Sequence, residues 1–255
     1  MKKLLKDIFF LLNIEPLGKR ASILSYHNIG DDGAYFTVKP GVFSQQIKYL
    51  ASGDYKLVKL SVLIDKLKKK EDISNSVSLT FNDGYKSFYT EVFPLLKEHQ
   101  IPATCFVTVE FLDTTICTSE GLQFKTLAVS EMREMQESGL VEFMPQTEQT
   151  VRLSQVVFDA AISGINNACN DIKVLLGTST CIFAYPKGDY TSELANHLRD
   201  EGNLIGAVTL REGLVHIDSD PYALNRNSID SKTSFVQFKG KLGGAIESYI
   251  KTRKR

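Results

Sequence analysis

The chain has no tryptophan, four histidines and four cysteines in 255 residues, and no surplus of charge, since thirty Lys and Arg balance thirty Asp and Glu. That balance excludes a global field that would gather nucleic acid, so nucleic acid is not an expected partner and a neutral or weakly charged ligand fits best. His27, His99, His197 and His216 are the only histidines and no two are four apart, so the chain holds no HxxxH pair. Cys105, Cys117, Cys169 and Cys181 form no CxxC pair. Cys105 and Cys181 lie in apolar runs that suit buried free thiols, so a reduced, cytoplasmic compartment is expected. No apolar run approaches the ~20 residues needed to span a bilayer. The opening MKKLLKDIFFLLNIEPLGKR is interrupted by Lys6 and Asp7 and lacks a small-residue cleavage site, so it does not read as a cleaved leader.

What is present is a chain that is 43% hydrophobic, with no repeat, low-complexity tract or linker to split it. One large domain is expected. Residues 1–19 read as an amphipathic helix with a linker, residues 20–240 as the domain, and residues 241–255 as a basic tail ending in KTRKR. Leu4, Leu5, Ile8, Phe9, Leu11 and Leu12 recur at helical spacing beside Lys2, Lys3 and Lys6. Two readings stay open: residues 1–13 lie on a membrane surface, peripheral on its inner face, or they pack on their own domain as a lid.

From Ala21 onward, apolar β-rich runs alternate with segments of helical period. ASILSYH precedes PGVFSQQIKYLASG, VSLTFNDG precedes YKSFYTEVFPLLKEHQ, and LVEFMP precedes a long amphipathic helix from Ser154 to Gly177. Serial βα units imply a parallel sheet, most economically closed as a distorted (β/α) barrel. Chemistry in such folds sits in loops at the carboxyl ends of strands. Those loops hold Tyr26 and His27, Asn82 to Tyr85, Pro145 to Thr150, Tyr185 to Gly188, and the segment after Leu210.

Five blocks in order, ILSYHNIG, LTFNDGYKSFYTEVFPLLKEHQIPATCFVT, SEMREMQESGLVEFMPQTEQTVRLS, FAYPKGDY and DPYALNR, resemble the polysaccharide deacetylase family, also called the NodB homology domain. The YH block points to the branch acting on exopolysaccharides. The resemblance implies a distorted barrel holding one divalent metal, usually zinc, and an N-acetylated glycan or glycolipid as partner. It also implies that an Asp serves as general base in TFDDG, a second Asp binds metal, and two His of SHTxTH complete the metal site. Here Asn82 stands at the base position, Asp83 at the metal Asp, and Gln146 and Thr150 at the two His positions. Tyr185 and Lys187 fall in the YPxG loop that shapes the family's groove, and Arg226 matches an Arg that orients the base.

Zinc requires about three N, S or O protein ligands and an open position, and amide or hydroxyl oxygens are poor substitutes for imidazole. Asn82 cannot take a proton near neutral pH. No cofactor is therefore expected unless the site is rearranged around zinc. The pocket is expected to be lined by His27, Asn82, Asp83, Gln146, Thr150, Tyr185, Lys187 and Arg226. Candidate catalytic residues are Asp83, His27 and Asn82, with Asp83 a vestigial metal ligand or a helix cap. His27 reads either as pocket lining or as a structural histidine, His216 as a loop residue, and His99 and His197 as solvated helix positions. Three functions compete: a glycan-recognising or regulatory domain without metal-dependent deacetylation, an active hydrolase with a rearranged site using His27, Asp83 or Asp189, and a structural subunit of a glycan-assembly complex.

Overall fold

The computed structural model describes residues 2–118, 120–147 and 152–253. Five parallel strands lie in the order Asn227–Ser228, Ala21–Tyr26, Ser76–Phe81, Ala103–Val107 and Val141–Pro145. A parallel bridge from Gln146 to Ala184 carries the sheet on to the pair Ile182–Ala184 and Gly206–Val208, and a bridge from Val208 to Leu224 turns it back toward its first strand. The result is the irregular, nearly closed barrel expected from the serial βα pattern.

The strands Ala21–Tyr26 and Ser76–Phe81 are buried at every position, as parallel strands covered on both faces must be. Side-chain alternation divides the core in two. Leu24, Tyr26, Leu79, Phe81 and Phe143 pack outward with Phe43, Ile47 and Phe88 from the flanking helices. Ile23, Phe106, Met144, Ile182, Val208 and Leu224 form a second cluster on the other face. Each such burial contributes about 1.5–3 kcal/mol.

Four elements differ from the sequence pattern. The helix expected over Tyr85–Gln100 is a π-helical turn, Phe88–Val92, followed by an α-helix, Phe93–His99, because Pro94 lacks an N–H and is accommodated only in a first helical turn. A hairpin of Thr115–Cys117 and Gln123–Lys125 rises beside the barrel mouth, with too short an alternating pattern to be read as strands. The expected basic tail is helical where the structure describes it: the helix Ala245–Arg253 buries Ala245 and Ile246 in the core. Finally, Cys181 is not a free thiol. It is bonded to Cys169 of the helix Phe158–Leu176, leaving Cys105 buried and Cys117 exposed as free cysteines. No CxxC spacing announces this bond because its halves come from a helix and the residue just before the following strand.

The helix Lys2–Leu12 forms and docks on the helices Phe235–Lys241 and Ala245–Arg253, through Phe10 and through the tilted rings of Phe9 and Phe10 against Tyr249. His197 pairs with Glu201 over 3.0 Å on its helix, whereas His99 is less solvated than its position implies, its Nε2 being buried without a hydrogen bond and 3.8 Å from Glu98.

Candidate functional site

The carboxyl ends of the strands bring most of the sequence-nominated residues to one mouth. Strand Ala21–Tyr26 delivers His27, Ser76–Phe81 delivers Asn82 and Asp83, Val141–Pro145 delivers Gln146, and Ile182–Ala184 delivers Tyr185 and Lys187. Two adjoining cavities open there, of about 320 Å³ and 600 Å³, sharing His27, Tyr35, Phe36, Gln146 and Lys187 in their walls. Thr150 lies outside the described residues.

Backbone strain aims the central carboxylate. Asp83 has φ 71°, a left-handed conformation that non-glycine residues adopt only where the surroundings enforce it, and Gly84 follows with φ 60°. A Cβ at Gly84 would stand 2.8 Å from Val107 Cγ1, so the turn admits glycine alone. The next helical turn starts only at Phe88. Asp83 Oδ1 instead accepts from Gln146 Nε2 at 2.6 Å, across the mouth.

Asn82 is buried and held on several sides. Its Oδ1 accepts from Arg226 Nη1 at 2.8 Å, and its Nδ2 donates to Ser25 Oγ at 3.0 Å. Arg226 is 1% exposed and also donates from Nε to the Thr209 carbonyl at 2.9 Å, crossing from the strand Gly206–Val208 to the strand Ser76–Phe81. Burial pushes its guanidinium down to about 9, opposed by the charge of Asp83. His27 Nε2 lies 3.3 Å from Asn82 Nδ2, a contact that requires Nε2 as acceptor and therefore the proton on Nδ1. Burial lowers the His27 pKa first and Arg226 lowers it further, while Asp83 and Asp230 oppose them. The imidazole is therefore neutral at pH 7.

Sequence reasoning missed the aromatic wall. Phe36 stacks on Tyr85 with centroids 5.7 Å apart and 10° between planes, and Phe124 of the hairpin closes the cluster. Burial, then the charge and hydrogen bond of Asp83, raise the Tyr85 phenol above its ordinary value. Tyr35, Phe111 and Asp230 also line the mouth. The only sequence signal was the pair Tyr35-Phe36 in a loop, outside any apolar period. Tyr185 is 1% exposed and turned inward, its hydroxyl donating to the Tyr222 carbonyl at 3.0 Å. At Gly188, φ is 68° and a Cβ would meet Leu210 N at 2.5 Å, which fixes the turn that presents Lys187 to the cavity. Asp189 does not join the site: its Oδ2 accepts from Ser154 N at 2.9 Å on the flank. His216 pairs with Glu247 at 2.6 Å, away from the mouth residues.

The sequence model of polysaccharide deacetylases matches residues 69–204, over half the chain. The chain belongs to the polysaccharide deacetylase family. It is 26% identical over 235 residues to the family homologue YxkH of Bacillus subtilis, covering 91% of this chain and 76% of that one. It is 27% identical over 199 residues to poly-beta-1,6-N-acetyl-D-glucosamine N-deacetylase of Staphylococcus epidermidis, covering 75% and 67%. Among solved structures the fold matches the Streptococcus pyogenes deacetylase PplD in complex with acetate, with TM-score 0.76, 23% identity and coverage of 90% and 100%. It matches IcaB of Ammonifex degensii with TM-score 0.74, 22% identity and coverage of 89% and 99%. The distorted barrel of the deacetylases is thereby shown.

The divalent metal that the family implies does not fit the described residues at this mouth. Asp83 Oδ1 already holds an amide N–H₂, Gln146 offers only its remaining amide oxygen, and His27 directs Nε2 to Asn82. Among the described residues, no three His, Cys, Asp or Glu side chains converge as a metal site. One carboxylate and one neutral amide leave zinc short of ligands and of charge balance.

Proposed function

We propose that the chain is a glycan-recognising member of its family, taking an N-acetylated polysaccharide or glycolipid of bacterial surface-polysaccharide metabolism into the mouth without metal-dependent deacetylation. The observation that carries this reading is the Gln146–Asp83 hydrogen bond, which engages the Asp83 carboxylate with a neutral amide. The groove supports recognition in its composition. The aromatic faces of Phe36 and Tyr85 suit the apolar face of a sugar ring, and Asn82, Gln146, His27 and Lys187 offer polar contacts for hydroxyl and acetamido groups. A structural role alone would be better served by a mouth filled with side chains.

The compartment is revised on the same footing. The expectation of a reduced cytoplasm rests partly on Cys181 as a free thiol, and the bond to Cys169 supports an oxidising compartment instead.

Titration calorimetry with β-1,6-linked N-acetylglucosamine oligomers tests the reading. Binding is expected without release of acetate, and Tyr85→Ala is expected to weaken it about tenfold. Acetate release abolished by a chelator overturns the proposal in favour of a rearranged metal enzyme.

A further inference from the structure

The helix Lys2–Leu12 docks on its own domain through Phe9 and Phe10 yet leaves most of its leucines turned outward. Its inward side carries Phe10, fully buried against Gly240, where an added Cβ would stand 2.0 Å from the ring. Asp7 Oδ1 also faces inward, accepting from Ser234 Oγ at 2.7 Å and Gln237 Nε2 at 2.5 Å. Leu4, Leu5, Ile8, Leu11 and Leu12 point the other way and are 43–78% exposed. At 3.6 residues per turn these five span an arc of about 120° on the side opposite Phe10. A helix whose acid is satisfied inside and whose leucines face out has an uncovered apolar face.

We propose that this face seats on an anionic lipid surface. Basic groups on the docked flank of the helix, rather than on the apolar arc itself, supply the positive charge around it. Lys6 Nζ and the Arg253 guanidinium both lie over the Tyr249 ring, at 5.2 Å and 5.9 Å, which brings the basic end of the C-terminal helix beside the N-terminal one. Lys251 and Arg253 are exposed there, and Lys2 and Lys3 add two positive charges to the N-terminal helix in sequence. The helix lies on the surface rather than crossing it: among the described residues, no helix is long and apolar enough to cross a membrane. A second copy of the chain fits the face less well. Eleven residues give a strip about 16 Å long and about 10 Å wide, far below the ~800 Å² per partner of a stable protein interface.

The docking also sets a direction. Ser234, which holds Asp7, follows the loop bearing Asp230 of the groove wall, and the Glu15 carbonyl abuts Gly243 further along. The Lys2 end of the helix therefore points toward the rim of the groove, and a lipid-seated helix keeps that rim near the surface. This inference stands apart from the glycan reading and survives its failure.

Co-sedimentation of the full chain with vesicles tests it, using phosphatidylglycerol-containing and pure phosphatidylcholine vesicles. Deleting the helix would also strip Phe10 from the core, so the variant is Leu5→Glu with Leu12→Glu, both at exposed positions. The wild type is expected to sediment with the anionic vesicles and far less with the neutral ones. The double variant is expected to keep its melting temperature and to lose about tenfold or more of the partitioning. If the variant melts lower, Leu4→Ser with Leu11→Ser repeats the measurement with a milder change. A wild type left in the supernatant with both vesicles overturns the proposal, as does a folded variant that sediments equally well. A dimer in sedimentation velocity that the variant abolishes, without vesicle binding, assigns the face to a second copy.

Discussion

Gln146 Nε2 donates to Asp83 Oδ1 over 2.6 Å, tying two strand ends together across the barrel mouth. The bridge is made by a neutral amide on one side and a carboxylate on the other. Substituting it therefore tests whether the site has lost its metal or merely changed how the metal is held.

The triple change Asn82→Asp, Gln146→His and Thr150→His is expected to create an Asp-His-His site and raise zinc content to about one ion per chain after dialysis, from none in the wild type. Each single change is expected to do little, because Asp83 with one imidazole remains short of three ligands. N-deacetylation is expected to recover less than zinc affinity, since ligand orientation depends on supporting hydrogen bonds. Elemental analysis checks the ions. A folded triple variant without zinc shows that Gln146 and Thr150 do not occupy the two histidine positions.

Stability should carry the mark of His27. Its folded-state pKa lies below 6.5, chiefly through burial, so between that value and 6.5 the unfolded chain binds a proton that the folded chain refuses. Stability accordingly rises with pH through this window and levels off above 6.5. Urea midpoints across about pH 5–8 are expected to show that rise, and His27→Gln is expected to flatten it. An unchanged profile in the variant assigns the dependence to other groups.

The cysteine pair yields a count and an energy. Unreduced, denatured protein is expected to titrate two thiols, those of Cys105 and Cys117, and reduced protein all four. Replacing Cys169 and Cys181 by serine is expected to lower the unfolding free energy by about 2–4 kcal/mol. Four thiols in unreduced protein purified from an oxidising compartment contradict the bond.

The architecture was legible because period alone separates buried parallel strands from helices, and the strand ends then located His27, Asn82, Asp83 and Gln146. What escaped notice depends on tertiary context. Phe36 becomes a groove wall only when Tyr85 and the hairpin residue Phe124 come to meet it, and neither contact leaves a pattern along the chain. Asp189 misled for the converse reason: it stands next to the loop that reaches the mouth, yet its carboxylate is occupied by Ser154. The helical end of the chain was hidden by its basic composition, since Ala245 and Ile246 give too brief an apolar signal.

Arg226 shows how the floor of the mouth can keep its shape whichever side chain stands at position 82. Its guanidinium is fixed by the Thr209 carbonyl as well as by residue 82, so one anchor holds the group whatever the other becomes. The amide of Asn82 meets the same guanidinium with its oxygen and gives its nitrogen to Ser25. Exchanging carboxylate for amide there changes the charge of the floor while leaving its outline intact. The barrel thus fixes the outline of its mouth separately from the charge on its floor, so ligands of one contour and different electrical needs meet the same walls.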